Sequence, residues 1–178
     1  MVKLRKVTDF TVKNMTQNPN IVKMAKTTIL DSIQKAPGVE TLEGKIGPLL
    51  SGYKGAAHYI TMPPNMYCNP HTHPTESLIY TAKGSWVLCS EGQRHLMAEG
   101  SLFFMPPDIE TGYEVPFDEP ATILIFKCEG KKDPDEFLTY LSTLKQKLED
   151  HHNAGEPFLL SELPESHPAR IFAKSCKK

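Results

Sequence analysis

Short apolar runs separated by turn residues follow one another from residue 55 to residue 129. Each run is rich in β-branched and aromatic side chains, which favour extended structure. The runs are His58–Met62, Ser77–Ala82, Trp86–Cys89, Leu102–Met105 and Thr122–Phe126. Gly, Pro and Asn residues lie between them, where antiparallel strands reverse direction. Many short strands at this regular spacing predict an all-β sandwich or barrel.

Helices are expected on both sides of this region. Asn18–Pro19–Asn20 has the composition of a helix start, and apolar residues at roughly helical spacing follow it as far as Pro37–Gly38. A second helix is predicted over about residues 134–151, because Asp133 can cap its first turn and apolar residues then recur every three or four positions. These residues are Phe137, Leu141, Leu144 and Leu148. We expect this apolar stripe to pack on the barrel or on a second subunit.

These patterns divide the chain into three parts of a single domain. Residues 1–54 form an N-terminal extension, residues 55–130 form the barrel core, and residues 131–178 form the C-terminal helix and tail. A chain of 178 residues is long enough for one domain with its own hydrophobic core and too short for two comfortable ones.

The charge balance and the cysteines limit the partners and the compartment. Twenty Lys and Arg residues against 21 Asp and Glu residues give a net charge of -1, without a basic stripe, so we expect no nucleic-acid partner. No apolar run reaches the roughly 18 residues that suggest a transmembrane helix, so we expect no membrane partner. The four cysteines form no C-x-x-C pair. Reduced thiols in a cytoplasmic protein are the expectation.

His71-Thr72-His73 carries the chemistry that the sequence suggests. Residues i and i+2 of a strand point to the same face, so both imidazoles can meet one ion or ligand. An isolated pair of this kind is a weak signal. Here it lies between the Pro63-Pro64-Asn65 turn and an apolar strand that ends at Gly84, which makes the signal stronger.

At these residues the sequence resembles the cupin superfamily, whose motifs are G-x5-H-x-H-x3-E-x6-G and G-x5-P-x-G-x2-H-x3-N. The first motif falls on Asn65, His71, His73, Ser77 and Gly84, and the second falls on Gly100, Pro106, Asp108, Thr111 and Val115. The resemblance covers roughly residues 55–129. It implies a mainly β fold, the double-stranded β-helix or jelly-roll barrel, here with an N-terminal helical extension and a C-terminal helix. It also implies a homodimer, because cupins commonly pair through their sheets.

The sequence departs from the cupin motifs at two metal-ligand positions. Metal-binding cupins use both motif-one histidines, the motif-one Glu and the motif-two His, and the last two positions here are Ser77 and Thr111. Hydroxyls are poor ligands for divalent transition metals beside imidazole or carboxylate. Glu76 becomes a third ligand if a bulge near Pro74 changes the strand phase, and is otherwise a solvated carboxylate.

Further candidates for the pocket are His95 and Tyr113. His95 has the phase of an inward-facing residue, and we favour a hydrogen-bonded core histidine over a ligand there. Tyr113 directly follows the second motif and could reach the pocket rim.

Two functions are open. In the first, His71, His73 and Glu76 bind a divalent transition metal (Fe, Mn, Ni or Zn), with weak or partial occupancy, at the pocket mouth. The protein would then be a dioxygenase, isomerase or lyase acting on a small organic molecule. In the second, the barrel binds a small-molecule ligand without catalysis and its metal site is degenerate. The retained histidines favour the metal, and Ser77 and Thr111 favour the binder.

Overall fold

The computed structural model describes residues 20–129 and 133–176 of the chain. They divide into two units, one ending at Ala36 and the other beginning at Pro37.

The first unit is a β-hairpin. Strand β1 (Ile21–Met24) pairs antiparallel with β2 (Thr27–Leu30), and a single 3-10 turn follows at Ile33–Lys35. Ala25 makes the reversal with a φ of 53°. The helix predicted over these residues is therefore wrong. Both strands are rich in β-branched residues, which lose side-chain freedom in a helix and favour the hairpin. Asn18 and Pro19 lie outside the described residues.

The second unit contains nine strands and two α-helices within its described residues. The strands are β3 (Val39–Thr41), β4 (Gly44–Ser51), β5 (Ala56–Met62), β6 (Ser77–Lys83), β7 (Ser85–Ser90), β8 (Gln93–Ala98), β9 (Leu102–Met105), β10 (Thr111–Glu114) and β11 (Ala121–Lys127). The helices are α1 (Pro134–Asn153) and α2 (Pro168–Cys176).

These strands form two antiparallel sheets. The large sheet has the order β3-β4-β5-β11-β6-β9, and the small sheet has the order β10-β7-β8. Each apolar run of the sequence lies within a strand, so the prediction of a mainly β, antiparallel fold is confirmed. Strands β3 and β4 precede the expected start of the barrel at residue 55, yet they pair into the large sheet.

The hydrophobic core lies between the two sheets. It joins Ile79 and Ile123 of the large sheet to Trp86, Met97 and Tyr113 of the small sheet. The Trp86 ring is fully buried, and its Nε1–H donates to Thr81 Oγ1 at 2.9 Å, which ties β7 to β6 across the core. This packing makes the two sheets one sandwich.

Helix α1 confirms the second helix prediction. The Asp133 side chain accepts from the backbone N–H groups of Asp135 and Glu136, at 2.9 and 3.1 Å. Leu141 and Leu148 are buried, and the helix packs against β3 and β4. The apolar stripe is therefore buried on its own barrel, and these two leucines are not available to a second subunit.

The segment after α1 packs against the loop that follows β5. Leu159 forms a β-bridge with Met66, and Leu160, Leu163 and Ala169 form a buried cluster with Tyr67. Near this segment lies a buried ion pair, in which Arg94 Nη2 is 3.0 Å from Glu114 Oε1. The pKa of His167 is lowered by burial and then by Arg94, which places this ion pair close to the segment.

The outer face of the large sheet is apolar and exposed. Five of its large side chains, on β6, β9 and β11, are between 37% and 60% exposed. They are Leu78, Tyr80, Leu102, Phe104 and Phe126. The register pairs Leu78 with Phe104 and Tyr80 with Leu102, so these four form adjacent cross-strand pairs on one surface.

Two expectations from the bulk composition can be set beside the structure. Within residues 20–129 and 133–176, no helix is both long and apolar enough to cross a membrane. All four cysteines are free: Cys68 and Cys89 are buried, Cys176 is partly buried and Cys128 is exposed.

Candidate ligand site at the barrel mouth

Polar side chains from three strands of the large sheet share its inward face near the strand ends. Successive residues of a strand alternate between faces. His58 therefore shares the inward face of β5 with Ile60, and Ser77 and Lys127 share the inward faces of their strands with Ile79 and Ile125, both core residues. The loop before β6 adds His73. We call His58, His73, Ser77 and Lys127 the barrel mouth.

The motif histidines are held at this end by backbone pairing. His71 and Thr111 exchange two hydrogen bonds, at 3.1 and 3.0 Å, and the His73 carbonyl accepts from the Asp108 N–H at 2.7 Å. The two imidazole centroids are 4.7 Å apart. The His71 ring is exposed and the His73 ring is half-buried. The structure thus brings the two rings together beside the mouth.

Burial keeps the mouth histidines uncharged. The pKa of His58 falls to about 4 because of burial, then the charge of Lys127, then His73. The pKa of His73 also falls to about 4, through burial, His71 and Lys127. Each ring is therefore a neutral imidazole near pH 7, with one donor and one acceptor nitrogen. The Phe137 ring of α1 packs against His58, with centroids 5.0 Å apart.

Lys127 is the cation of the mouth. Burial lowers the pKa of its ammonium group. Its Nζ donates to Thr75 Oγ1 at 3.4 Å. In the described part of the chain it takes part in no ion pair.

The floor of the mouth combines a thioether with hydroxyl groups. Met105 lies opposite Ser77 in the register, and its Sδ accepts from Thr111 Oγ1 at 3.3 Å and from the Tyr113 hydroxyl at 3.8 Å. Burial raises the pKa of Tyr113, so the phenol stays protonated. The Ser77 hydroxyl is buried and has no hydrogen-bond partner among the described residues.

The Cys68 thiol lies near the His71 ring and is not a reactive nucleophile. Its thiol donates to Glu43 Oε1 at 3.3 Å and lies 3.8 Å from His71 Nδ1. Burial and then the Glu43 carboxylate raise its pKa well above the usual range, so it is not a thiolate nucleophile. His71 Nδ1 is 3.0 Å from the Asn69 carbonyl oxygen. That contact requires an Nδ1–H donor, which leaves the lone pair on Nε2.

The structure does not bring the third proposed metal ligand to the histidines. Ser77 occupies the inward face at the start of β6, so the strand phase puts Glu76 outward. Its exposed side chain lines a cavity of about 310 Å³, which Leu78 and Phe126 of the outer face share with Ser77 and Lys127 at the strand ends. Among the residues that the structure describes, no group of three or more His, Cys, Asp and Glu side chains could hold a metal ion. The residues present therefore do not form a complete metal centre.

The remaining candidates separate into two groups. Ser77, Thr111 and Tyr113 are buried next to the mouth, whereas the His95 side chain on β8 is exposed. Sequence reasoning missed Lys127, Thr75 and Met105. Lys127 had a detectable signal, because it continues the inward alternation of Ile123 and Ile125.

The sandwich and its motif residues define a cupin. The family model described as the AraC-like ligand binding domain matches residues 54–175, and the chain belongs to that family. No protein of curated function matches the sequence.

Solved structures share the fold at low sequence identity. A protein from Salmonella typhimurium that is described as a candidate ethanolamine utilization protein Q is 13% identical, with 62% of this chain and 94% of that chain covered and a TM-score of 0.53. DMSP lyase DddQ from Ruegeria pomeroyi is 19% identical, with 67% and 71% covered and a TM-score of 0.50. An RmlC-like cupin from Shewanella frigidimarina is 17% identical, with 56% and 89% covered and a TM-score of 0.49.

Proposed function

We propose that this chain is a ligand-binding cupin that holds a small organic molecule at the barrel mouth. The observation that carries the proposal is the buried Ser77 hydroxyl, which has no hydrogen-bond partner within residues 20–129 and 133–176. Leaving a buried polar group unsatisfied costs about 1–3 kcal/mol, and a bound molecule that supplied an acceptor would recover that cost. The match to a ligand-binding domain family supports the same function.

The chemistry of the mouth suits an organic molecule. Ligand sites combine an apolar surface with a few convergent polar groups. Met105 and Tyr113 supply the apolar floor, and the neutral imidazoles of His58 and His73 supply a donor and an acceptor each. The proposal needs no reaction step, because the thiol and the phenol nearby are both held in their protonated forms.

Metal binding is a separate and weaker proposal. His71 and His73 could offer two imidazole ligands, since their centroids are 4.7 Å apart. Two such ligands do not make a tight site, and neither Ser77 nor Thr111 supplies a strong third. We therefore propose at most weak coordination of a divalent ion, and we base no catalytic activity on it.

The ligand proposal is tested with the isotope-labelled protein and a panel of neutral, cationic and anionic small organic molecules. At least one compound should shift the backbone amide resonances of His73, of residues 75–77 and of residues 111–113 in a saturable way. Ser77→Ala should lower the affinity for that compound. It should also raise the free energy of unfolding, because the unsatisfied hydroxyl is gone. The matched control is Ser142→Ala on the exposed side of α1, which should leave binding unchanged. A panel without a mouth binder, or a compound that binds Ser77→Ala as tightly as the parent, would refute the proposal.

A further inference from the structure

We propose that the molecule held at the barrel mouth is a carboxylate and that Lys127 selects it. This inference rests on the proposed function and names the chemical class of its ligand.

Lys127 carries a positive charge that no described carboxylate pairs. Lys127 is half-buried on the inward face of β11, and its ammonium group donates to the neutral hydroxyl of Thr75 at 3.4 Å. The imidazoles of His58 and His73 cannot neutralise it, and no described carboxylate forms an ion pair with it. Moving a cation out of water without an opposite charge is costly. A bound anion would supply that charge.

Ser77 lies beside Lys127, at the ends of two adjacent strands. The antiparallel register pairs Ile125 with Ile79 and Phe126 with Leu78. The next step of that register puts Lys127 opposite Ser77, with both side chains on the inward face. A charged donor and a hydroxyl donor without a partner therefore stand side by side at the strand ends. A carboxylate has two oxygens in one plane and can accept from both donors.

The single positive charge of Lys127 favours a carboxylate over other ligands. A carboxylate carries one negative charge, which the single ammonium group matches. A phosphate dianion would bring a second negative charge, whereas Lys127 supplies a single positive charge. A neutral amide or sugar could accept from Ser77 but would leave Lys127 unpaired, so the mouth favours the monoanion.

The experiment compares each acid with its own amide. Acetate, propionate and benzoate are titrated beside acetamide, propionamide and benzamide at constant ionic strength. Binding is followed through the backbone amide resonances of His73 and of residues 75–77. We expect the best carboxylate to bind about 10- to 100-fold more tightly than its amide, the range for losing one charge-assisted hydrogen bond. Lys127→Met keeps the length of the side chain and removes its charge, and it should abolish that preference. Lys83→Met, at the exposed far end of β6, is the matched control and should retain it.

The outcomes separate the inference from the function on which it rests. Amides that bind at the mouth as tightly as the acids would overturn the carboxylate assignment and leave ligand binding in place. A preference for carboxylates that survives in Lys127→Met would overturn the role of Lys127. Inorganic phosphate that binds more tightly than every carboxylate would overturn the choice of anion. If neither acids nor amides bind at the mouth, the inference fails with all three probe pairs.

Discussion

Removal of Arg94 should destabilise the fold strongly, because it would strand a buried carboxylate. Arg94 contacts Glu114 three times, with Nε 3.0 Å from Oε1 and 3.3 Å from Oε2, and Nη2 3.0 Å from Oε1. The side chains are 9% and 2% exposed, so water cannot replace the guanidinium. Breaking a buried pair by removing one partner costs about 3–5 kcal/mol, and we expect Arg94→Met to lose that much stability.

The loss should depend on pH. Burial raises the pKa of Glu114, and the hydrogen bonds and charge of Arg94 oppose that rise. In Arg94→Met the opposing effects are gone, so the pKa of Glu114 in the folded state rises further. A carboxyl group with a raised folded-state pKa favours folding most below its unfolded pKa, and this advantage is lost as the pH rises through the folded pKa. The difference between variant and parent should therefore be larger at pH 8 than at pH 5.

Urea unfolding followed by the fluorescence of Trp86 measures this difference. Trp86 is the single tryptophan and is fully buried, so its emission reports loss of the core. The control is Lys145→Ala, which removes an exposed pair with Glu149 at 3.8 Å and should cost only about 0.3–0.5 kcal/mol. Arg94→Met with Glu114→Gln should recover most of the stability, since neither charge remains. A loss in Arg94→Met no greater than that of the control, or equal at both pH values, would refute the argument.

Three further predictions concern the backbone, the histidines and the assembly. Gly84→Ala should lower the free energy of unfolding by about 1–3 kcal/mol more than Gly92→Ala in the same urea assay. Both glycines have positive φ, but a Cβ at Gly84 would lie 2.5 Å from the Pro120 carbonyl oxygen, whereas a Cβ at Gly92 would meet no atom within 4 Å. Equal losses would contradict this. In a titration of the untagged protein with Zn²⁺ or Ni²⁺, weak binding should be lost in both His71→Ala and His73→Ala, and variants that bind as the parent does would end the metal proposal. The homodimer stays a prediction, and light scattering should give twice the chain mass of 19.9 kDa. Phe104→Asp on the exposed outer face should shift the measured mass toward that of the monomer. A parent protein that is monomeric at all concentrations would exclude the dimer.

Local sequence patterns predicted the elements whose signals are contained within a few residues. The apolar runs became strands β5, β6, β7, β9 and β11, and the Asp133 cap became the start of α1. Asn65 stands at a motif glycine position and has a φ of 65°, in the left-handed region that glycine adopts readily. Such features depend on side chains and turns that neighbour each other along the chain.

The errors arose where the outcome depends on distant parts of the chain. The apolar residues after Asn20 fit a helix loosely, but pairing of two β-branched segments formed a hairpin. Strand β4 contains Gly47 and Pro48, which weaken a strand signal, and its place in the sheet comes from pairing with β5. For Glu76 the sequence left both a ligand and a solvated carboxylate open, and its side chain is exposed beside the inward-facing Ser77. Lys127 becomes a candidate site residue only in the folded chain, where two histidines from other segments lie near it.

The β-bridge between Leu159 and Met66 makes the last part of the chain a support for the motif histidines. The Tyr67 N–H donates to the Phe158 carbonyl at 2.8 Å, and the Leu160 N–H donates to the Asn65 carbonyl at 2.8 Å. The same stretch of chain continues through Cys68 to His71. Detachment of this support, by proteolysis after α1 or by a partner that competes for it, would loosen one side of the histidine segment. By reciprocity of coupled equilibria, any ligand whose binding needs that segment in place must hold the C-terminal support down by an equal factor. Resistance of the C-terminus to protease would then report occupancy of the mouth.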